Sequence, residues 1–315
     1  MKYRHAIAID LGATNVRTAL VSERGEIIAR TKQTTHKTGK NGAVVTTQIE
    51  RMIEILIRKH PKFALQGIGI SSMGPLDYKR GGPAHAPNVP FPFISLTKPL
   101  TKKFSLPVIL LNDCNAGVFG ERHFGAGKKV NNLVYVTIST GIGAGAIVDG
   151  KLLLGKEGNA GEVGHLIVDT HYNFPCTCGK GTGHWEGEAS GRNIPRFFKV
   201  WAASHAQEPV SFTYERAEDI FMQARNKNAN ALAFLEEISR INARAISDII
   251  VAYNPELITL GGSVVLHNSS IIIRGIKKYV ERYLTLPKIQ VTTLGEDITL
   301  LGAAAAVFKK GEKSY

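Results

Sequence analysis

Cysteine is scarce in this chain, and its scarcity argues against one class of fold. The 315 residues include 3 cysteines, which are Cys114, Cys176 and Cys178. Small secreted domains that depend on a disulfide framework contain many more, so we expect a chain that folds in a reducing compartment. A strand pattern begins at once at the N-terminus, without the layout of a signal peptide. We therefore expect a cytoplasmic protein.

Long apolar runs and long basic runs are also missing. No apolar run is long enough to span a bilayer, so we expect no membrane partner. The net charge is +13, but the basic residues stand in scattered pairs such as Lys102-Lys103 and Lys128-Lys129. Such pairs are typical of solvated helix faces and predict no nucleic-acid partner. A positive surface would still attract a small anionic substrate such as a nucleotide.

One local pattern occurs twice, as strand, glycine-rich turn, strand, turn and strand. The first copy covers residues 3–31 and the second covers residues 132–154. Helical spacing of apolar residues follows at 43–60, 217–253 and 269–284, whereas the proline- and glycine-rich segment 74–99 predicts loops. Strands that alternate with helices predict an α/β fold, and the repeat and the length suggest two domains built on one plan.

The segment 162–186 combines the ligand types of a soft metal ion. It begins E-V-G-H and ends C-T-C-G-K-G-T-G-H-W-E. A tetrahedral set of sulfur and nitrogen ligands, as zinc prefers, is available from His165, Cys176, Cys178 and His184. Glu162 and Glu186 would flank that loop and be free to bind a polyhydroxylated ligand. The alternative is that the cysteines are small core residues, because C-x-C is a weaker signature than paired C-x-x-C motifs.

Glycine-rich turns follow three apolar strands, at 12–15, 140–145 and 261–263. Such turns let backbone N–H groups approach phosphate closely, and threonine hydroxyls in or beside the first two turns add donors. Asp10 precedes the first turn, where a carboxylate can hold Mg²⁺ against bridging phosphates. The alternative role for Asp10 is to cap the turn.

Asp113 follows the apolar run 108–111, which predicts a buried strand. Ligands of open α/β sheets collect at the carboxyl ends of strands, and an aspartate there can accept a proton from an attacking hydroxyl. Its alternative role is the N-cap of the helix that follows. The neighbouring Asn112 is a candidate hydrogen-bond partner for a sugar hydroxyl.

Taken in order, these motifs resemble those of the ROK-family sugar kinases, and the resemblance covers almost the whole chain. They are D-L-G-A-T-N at 10–15, N-D at 112–113, T-G-I-G-A-G at 140–145, E-V-G-H at 162–165 and the C-x-C-G segment with its downstream glutamate. The first motif alone indicates only the broader hexokinase–actin–Hsp70 superfamily. One departure is that His184, preceded by one inserted residue, stands where the family usually has a third cysteine.

The resemblance implies a two-lobed actin-like ATPase fold with a cleft between the lobes. We expect a small lobe of residues 1–117 and 300–315, and a large lobe of residues 118–299. It also implies ATP and Mg²⁺, a structural zinc ion, small-molecule sugar and nucleotide partners, and a homodimer or homotetramer.

The resemblance also assigns roles to individual residues. Asp113 looks like the general base, and Asp10 looks like the carboxylate that is associated with Mg²⁺. The expected contacts to the nucleotide and its phosphates are Gly12, Thr14, Thr140, Gly141, Gly261 and Gly262. The expected sugar ligands are Asn88, Asn112, Asp113, Glu162, His165 and Glu186. The expected zinc ligands are His165, Cys176, Cys178 and His184, so that His165 would use one ring nitrogen for zinc and the other for the sugar.

These expectations predict an ATP-dependent kinase that phosphorylates the 6-hydroxyl of an aldohexose, with glucose favoured. N-acetylmannosamine and N-acetylglucosamine are the alternative substrates. A sugar-responsive transcriptional regulator is a weaker alternative, because Asp10 comes too early in the chain to follow a helix-turn-helix module. A sugar-binding or actin-like assembly protein without catalysis would not need Asp113, Glu162 and Glu186 together.

Overall fold

The computed structural model describes residues 4–87, 89–206 and 214–309. Its residues divide into two compact units. Unit 1 contains residues 1–131, 149–160 and 293–315, and unit 2 contains residues 132–148 and 161–292. The sequence-based division placed the corresponding boundaries after residues 117 and 299.

Unit 1 is built on a five-stranded sheet with the order β3-β2-β1-β4-β7. The β1–β2 and β2–β3 pairs are antiparallel, whereas β4 runs parallel to both β1 and β7. The strands are β1 (His5–Leu11), β2 (Asn15–Ser22), β3 (Ile27–Thr34), β4 (Leu65–Ser72) and β7 (Val108–Asn112). The short strands β5 (Leu76–Asp77) and β6 (Gly82–Pro83) form a separate pair.

Both faces of β1 are buried, which explains its nearly continuous apolar sequence. Ile7 and Ile9 join the core that includes the buried face of α1 (Ala43–Lys59), while Ala6 and Ala8 join the core that includes α9 (Ile298–Phe308). The alanines on this face leave room for the alanine-rich α9.

Helix α9 approaches α3 (Asp113–His123) so closely that only glycine fits at one contact. A Cβ atom on Gly302 would lie 1.7 Å from the carbonyl oxygen of Ala116. Since the backbones touch there, α9 fixes the position of α3, and α3 carries Asp113 at its first turn.

Unit 2 repeats the strand plan. Its sheet has the order β10-β9-β8-β11-β12, with β8 and β9 antiparallel and β11 parallel to both β8 and β12. The strands are β8 (Leu133–Ile138), β9 (Ile142–Val148), β10 (Lys151–Leu152), β11 (Leu257–Gly261) and β12 (Lys288–Val291). The predicted repeat of strand, glycine turn and strand is therefore present in both sheets.

The helices of unit 2 are α4 (Trp185–Ala189), α5 (Ile194–His205), α6 (Ala217–Arg225), α7 (Ala229–Tyr253) and α8 (Ser263–Tyr279). The sequence predicted one helix over residues 217–253, and that prediction is wrong at residues 226–228. Asn228 caps α7 there by accepting a hydrogen bond from the Ala231 N–H at 2.9 Å, so a new helix begins.

Two other expectations need correction. The segment 74–99 was predicted as loops, but it contains β5 and β6 and the start of α2 (Thr97–Phe104). Strands of two residues carry no periodicity that a sequence pattern can show. The helix predicted from 269 extends further toward the N-terminus, because α8 begins at Ser263 and the non-helical Asn268, with a φ of −133°, divides it just before 269. Among the described residues, no helix has both the length and the apolar composition needed to cross a bilayer.

Candidate functional site

Asp10 and Asn112 lie at the same edge of the unit 1 sheet. Asp10 pairs in register with Ser71, and Ser72 pairs with Asn112 across the next strand. Because β1, β4 and β7 are parallel, the carboxyl ends of these strands meet at one edge, where α/β sheets bind ligands. Asp113 follows Asn112 directly as the first residue of α3.

The cap of α3 separates the roles of Asn112 and Asp113. The Asn112 side-chain oxygen accepts a hydrogen bond from the Asn115 N–H at 2.6 Å, so Asn112 is the N-cap. The Asp113 carboxylate accepts a hydrogen bond from the Cys114 N–H at 2.8 Å, and Asp113 is exposed. The alternative in which Asp113 is the N-cap is therefore wrong. Its carboxylate also carries a favourable charge for the first turn of a helix.

Asp10 makes an ion pair that the sequence did not indicate. The Arg17 guanidinium, on the neighbouring strand, donates to one Asp10 oxygen from Nη2 at 2.7 Å and from Nε at 3.0 Å. Ser71 donates to the other oxygen at 3.3 Å. Arg17 also contacts Asp297, so the Asp10 carboxylate is held in one orientation by a small network.

The first glycine turn is closed by backbone and threonine contacts. The Gly12 N–H donates to the Asn15 carbonyl at 3.0 Å, and the Thr35 hydroxyl donates to the Gly12 carbonyl at 2.8 Å. Thr14 is exposed beside this turn. The turn thus presents Gly12 and Thr14 at the end of β1, where the sequence predicted a contact with phosphate.

The four predicted zinc ligands of unit 2 lie together. One ligand atom from each of His165, Cys176, Cys178 and His184 lies within 4.8 Å of all the others. The two histidine Nδ1 atoms are 3.4 Å apart, and the Cys178 sulfur is 3.5 Å from the His184 Nδ1. Zinc–nitrogen bonds of about 2.0–2.1 Å place two nitrogens of a tetrahedron about 3.4 Å apart, so this donor set fits zinc.

The insertion before His184 does not prevent that residue from reaching the cluster. Trp185, the next residue, is fully buried and donates a hydrogen bond to Asn242 of α7 at 2.7 Å. The Trp185 N–H also bonds the Leu166 carbonyl at 3.0 Å, which ties His184 to the segment that carries His165. Burial raises the pKa of the Cys176 thiol to about 11, so a metal has to displace a proton there.

The two carboxylates beside this loop have different surroundings. The Glu186 Oε2 accepts a hydrogen bond from the Ile142 N–H at 2.9 Å, and a Cβ on Gly141 would lie 2.6 Å from that oxygen. Desolvation raises the pKa of the Glu162 carboxyl; the charge of His165 opposes this shift, whereas that of Glu186 adds to it. Glu162, His165 and Glu186 are therefore close neighbours, and Glu186 also supports the second glycine turn.

A cavity of about 360 Å³ lies in unit 2 beside the second glycine turn. Ser139 and Thr140 of that turn line it together with Ser263, the first residue of α8. Gly262 precedes Ser263 with a φ of 86°, and a Cβ at this position would lie 2.4 Å from the Ile138 carbonyl oxygen. Glycine is therefore required where β11 turns into α8 beside the cavity.

Four residues of the site were not predicted from the sequence, and one predicted residue cannot be placed. Asn88 lies outside the described residues. Arg17, Thr35 and the cavity residues Arg192 and His267 were not predicted. None of these four belongs to a motif with fixed spacing, so only the three-dimensional structure relates them to the site.

A family model supplies the observation that decides the classification. The model described as "ROK family" matches residues 6–310. The chain belongs to the ROK family. The predicted actin-like ATPase fold is likewise confirmed, because solved ROK sugar kinases that share this fold match nearly the whole chain.

Three relatives show the range of proteins to which this ROK chain is similar. It is 37% identical to a glucokinase of Pyrobaculum calidifontis, over 97% of this chain and 96% of that one. A crystal structure of a ROK family glucokinase from Streptomyces griseus in complex with glucose and AMPPNP has a TM-score of 0.76 at 26% identity, covering 95% of this chain and 98% of that one. A xylose repressor of Caldicellulosiruptor bescii is 29% identical over 96% of this chain and 77% of the repressor.

Proposed function

We propose that this protein is an ATP-dependent sugar kinase that phosphorylates glucose at the 6-hydroxyl. The observation that carries the proposal is the position of Asp113, exposed at the carboxyl end of β7, while Asn112 takes the capping role. Similarity to the Pyrobaculum glucokinase, at 37% identity over 97% of this chain, supports glucose as the substrate.

In this mechanism, Asp113 accepts the proton of the sugar hydroxyl as that oxygen attacks the terminal phosphorus of ATP. The bond from that phosphorus to the bridging oxygen breaks, and ADP leaves with the bonding electrons. The Asn112 side-chain oxygen caps α3, and among the described residues its amide nitrogen is left to donate to a neighbouring sugar hydroxyl. In unit 2, we propose Glu162, His165 and Glu186 as sugar ligands. Asp10 would hold the Mg²⁺ that accompanies ATP, and Arg17 and Ser71 orient its carboxylate.

We assign the phosphates of ATP to the first and second glycine turns. Gly12 and Thr14 present donors in unit 1, and Thr140 and Gly141 present donors in unit 2. Gly261 and Gly262 shape the end of β11 beside the cavity, which we assign to the nucleotide. The cavity volume of about 360 Å³ is within the range that small-molecule sites occupy.

A zinc ion is proposed for the cluster of His165, Cys176, Cys178 and His184. When bound, zinc is a structural cross-link that fixes ring orientation and loop shape. Because His165 faces the cluster through Nδ1, its Nε2 is the atom left for the sugar. A homodimer or homotetramer remains a prediction.

The test is a coupled assay of ADP formation with glucose, mannose, fructose, N-acetylglucosamine and N-acetylmannosamine. We expect glucose to give the highest kcat/KM. Higher activity with an N-acetylhexosamine would replace glucose as the substrate and keep the kinase. Sugar-dependent ADP formation with none of the five would contradict the proposed function and favour a regulator or binding protein.

A further inference from the structure

The cavity of unit 2 is lined by two chemically different groups of residues. In one group, the hydroxyl oxygens of Ser139 and Ser263 are 3.0 Å apart, and Thr140 follows Ser139 directly. In the other group, Glu218 forms an ion pair with Arg216 at 3.3 Å and lies close to His267. His267 connects the two groups, because its Nδ1 donates to the Ser263 carbonyl at 2.8 Å, one helical turn away.

Arg192 belongs to the group of residues that carries the hydroxyls. The Arg192 N–H donates to the Thr140 carbonyl at 3.3 Å, and the preceding Gly191 N–H donates to the Ser139 carbonyl at 2.7 Å. These bonds join the backbone of residues 191–192 directly to the second glycine turn. Arg192 is exposed and lines the cavity.

The Arg192 guanidinium differs from the other arginines near the cavity. Arg216 is paired with Glu218, and Arg225 donates to the His267 carbonyl at 3.1 Å. Within the described part of the chain, the Arg192 side chain has no hydrogen bond, ion pair or aromatic contact. Its five donors are therefore available to a ligand.

A guanidinium beside two hydroxyls and a glycine turn matches the chemistry of a phosphate group. Arginine binds phosphate through two parallel hydrogen bonds, which are shorter and stronger than bonds between neutral groups. The lining also contains the carboxylates of Glu215 and Glu218, the second of which is ion-paired with Arg216. Because carboxylates accept hydrogen bonds from hydroxyl groups, this group of residues suits the ribose of a nucleotide better than its phosphates.

We propose that Arg192 binds the phosphates of the nucleotide donor and that the nucleoside lies toward Glu218. This inference rests on the proposed function, because it takes the cavity to be the nucleotide site. It adds a substrate-binding residue that no sequence motif indicated.

The test compares two ligands by titration calorimetry, ADP and adenosine, so that no turnover is needed. We expect Arg192→Gln to raise the Kd for ADP about tenfold or more, the usual effect of losing a charge-assisted hydrogen bond. The Kd for adenosine should stay within about twofold, because adenosine has no phosphate. Lys199→Gln is the matched control, since it removes one positive charge from an exposed position of α5 outside the cavity.

Arg192→Lys keeps the charge and loses the paired donors, so it should give an intermediate Kd for ADP. It replaces Arg192→Gln as the test variant if Arg192→Gln fails to fold. The inference is overturned if Arg192→Gln and Lys199→Gln have the same Kd for ADP, or if adenosine is weakened as much as ADP. The function is tested separately by ADP formation with glucose in the wild type. A wild type that binds ADP and phosphorylates no sugar would end the proposed function while leaving the role of Arg192 standing.

Discussion

The two sheets follow one plan but differ in the chemistry at their strand ends. In both, an antiparallel hairpin with a glycine turn continues into parallel strands, so that β1, β4 and β7 of unit 1 correspond to β8, β11 and β12 of unit 2. Unit 1 places Asp10 at the last position but one of β1 and Asp113 directly after β7. Unit 2 has no carboxylate at the matching position of β8, which is Thr137.

The second turn instead receives a carboxylate from elsewhere in unit 2. Glu186, carried by α4, bonds the Ile142 N–H at 2.9 Å, and Arg192 follows one short segment later. The comparison indicates that one strand plan supports two tasks. In the proposed function, unit 1 supplies the acidic groups for proton and Mg²⁺ chemistry, whereas unit 2 contains the cavity and the cluster of four potential metal ligands. The difference lies in the inserted segments and the turn residues, since the strand order is the same.

The largest expected effect comes from substitution of Asp113 in unit 1. Asp113→Asn should lower kcat with glucose by about 10²–10⁴-fold, because the amide cannot accept the proton, while the KM for glucose changes little. Steady-state kinetics measure both values. Asp77→Asn is a control in the same unit, on the short strand β5. A variant with nearly normal kcat would remove Asp113 from the role of base.

The next effect tests the cluster that distinguishes unit 2. His184→Gln should lower the bound zinc well below one ion per chain and reduce kcat/KM for glucose about 10–100-fold, because the loop that carries His165 loses its cross-link. Zinc content is measured by elemental analysis after dialysis. His171→Gln changes an exposed histidine of the same loop outside the cluster and should leave both values unchanged. Equal zinc content in the two variants would contradict the ligand role of His184.

Buried glutamates give a third contrast between the units. Glu121 of unit 1 is fully buried and accepts a hydrogen bond from the Ala126 N–H at 2.9 Å. Glu188 of unit 2 is equally buried, but neither of its carboxyl oxygens has a hydrogen-bond partner among the described residues. Desolvation, with a further contribution from Asp169, raises the pKa of Glu188 to about 8.

Because the folded pKa of Glu188 exceeds the ordinary value of 4.5, the folded state binds a proton that the unfolded state releases. Stability should therefore fall as pH rises from about 4.5 to about 8, by up to about 1.4 kcal/mol per pH unit from this group. Glu188→Gln should match the wild type near pH 5 and unfold at higher denaturant near pH 8. Glu157→Gln, on an exposed side chain, is the control. If the unfolding free energies of the wild type and Glu188→Gln run parallel from pH 5 to pH 8, the raised pKa of Glu188 is contradicted.

The smallest effect concerns the ion pair that orients Asp10. Arg17→Gln should cost about 1–3 kcal/mol of unfolding free energy, because it leaves the largely buried Asp10 carboxylate, 18% exposed, without its charged partner. Arg30, which also contacts Asp297, is 63% exposed, so Arg30→Gln should cost less than about 1 kcal/mol. Urea unfolding measures both. Equal losses of unfolding free energy in the two variants would mean that Arg17 contributes no more to stability than an exposed ion-pair partner does.

Much of the fold and part of the site follow from sequence patterns. Period-two apolar runs and glycine turns predicted both hairpins, and the spacing of His165, Cys176, Cys178 and His184 predicted the residues that the structure brings together. Such features are local, because each strand pattern and each set of ligand spacings is contained in a few dozen consecutive residues. The family resemblance then supplied roles that spacing alone left open.

Contacts between distant segments could not be predicted in this way. Arg17 meets Asp297 and Arg192 meets Thr140, and each pair is separated by many residues without any repeating pattern. The choice between Asn112 and Asp113 as N-cap also needed backbone geometry, since both residue types cap helices well. Sequence alone allowed Asp113 to be the N-cap, and the structure excludes that role by placing Asn112 there.

The division of tasks between the units is tested most directly by the ADP affinity of Asp113→Asn, measured by titration calorimetry next to its kcat. The account predicts a Kd for ADP within about twofold of the wild-type value together with a kcat at least about 100-fold lower. A Kd for ADP that weakens as much as kcat falls would show that Asp113 serves donor binding, and would contradict the account.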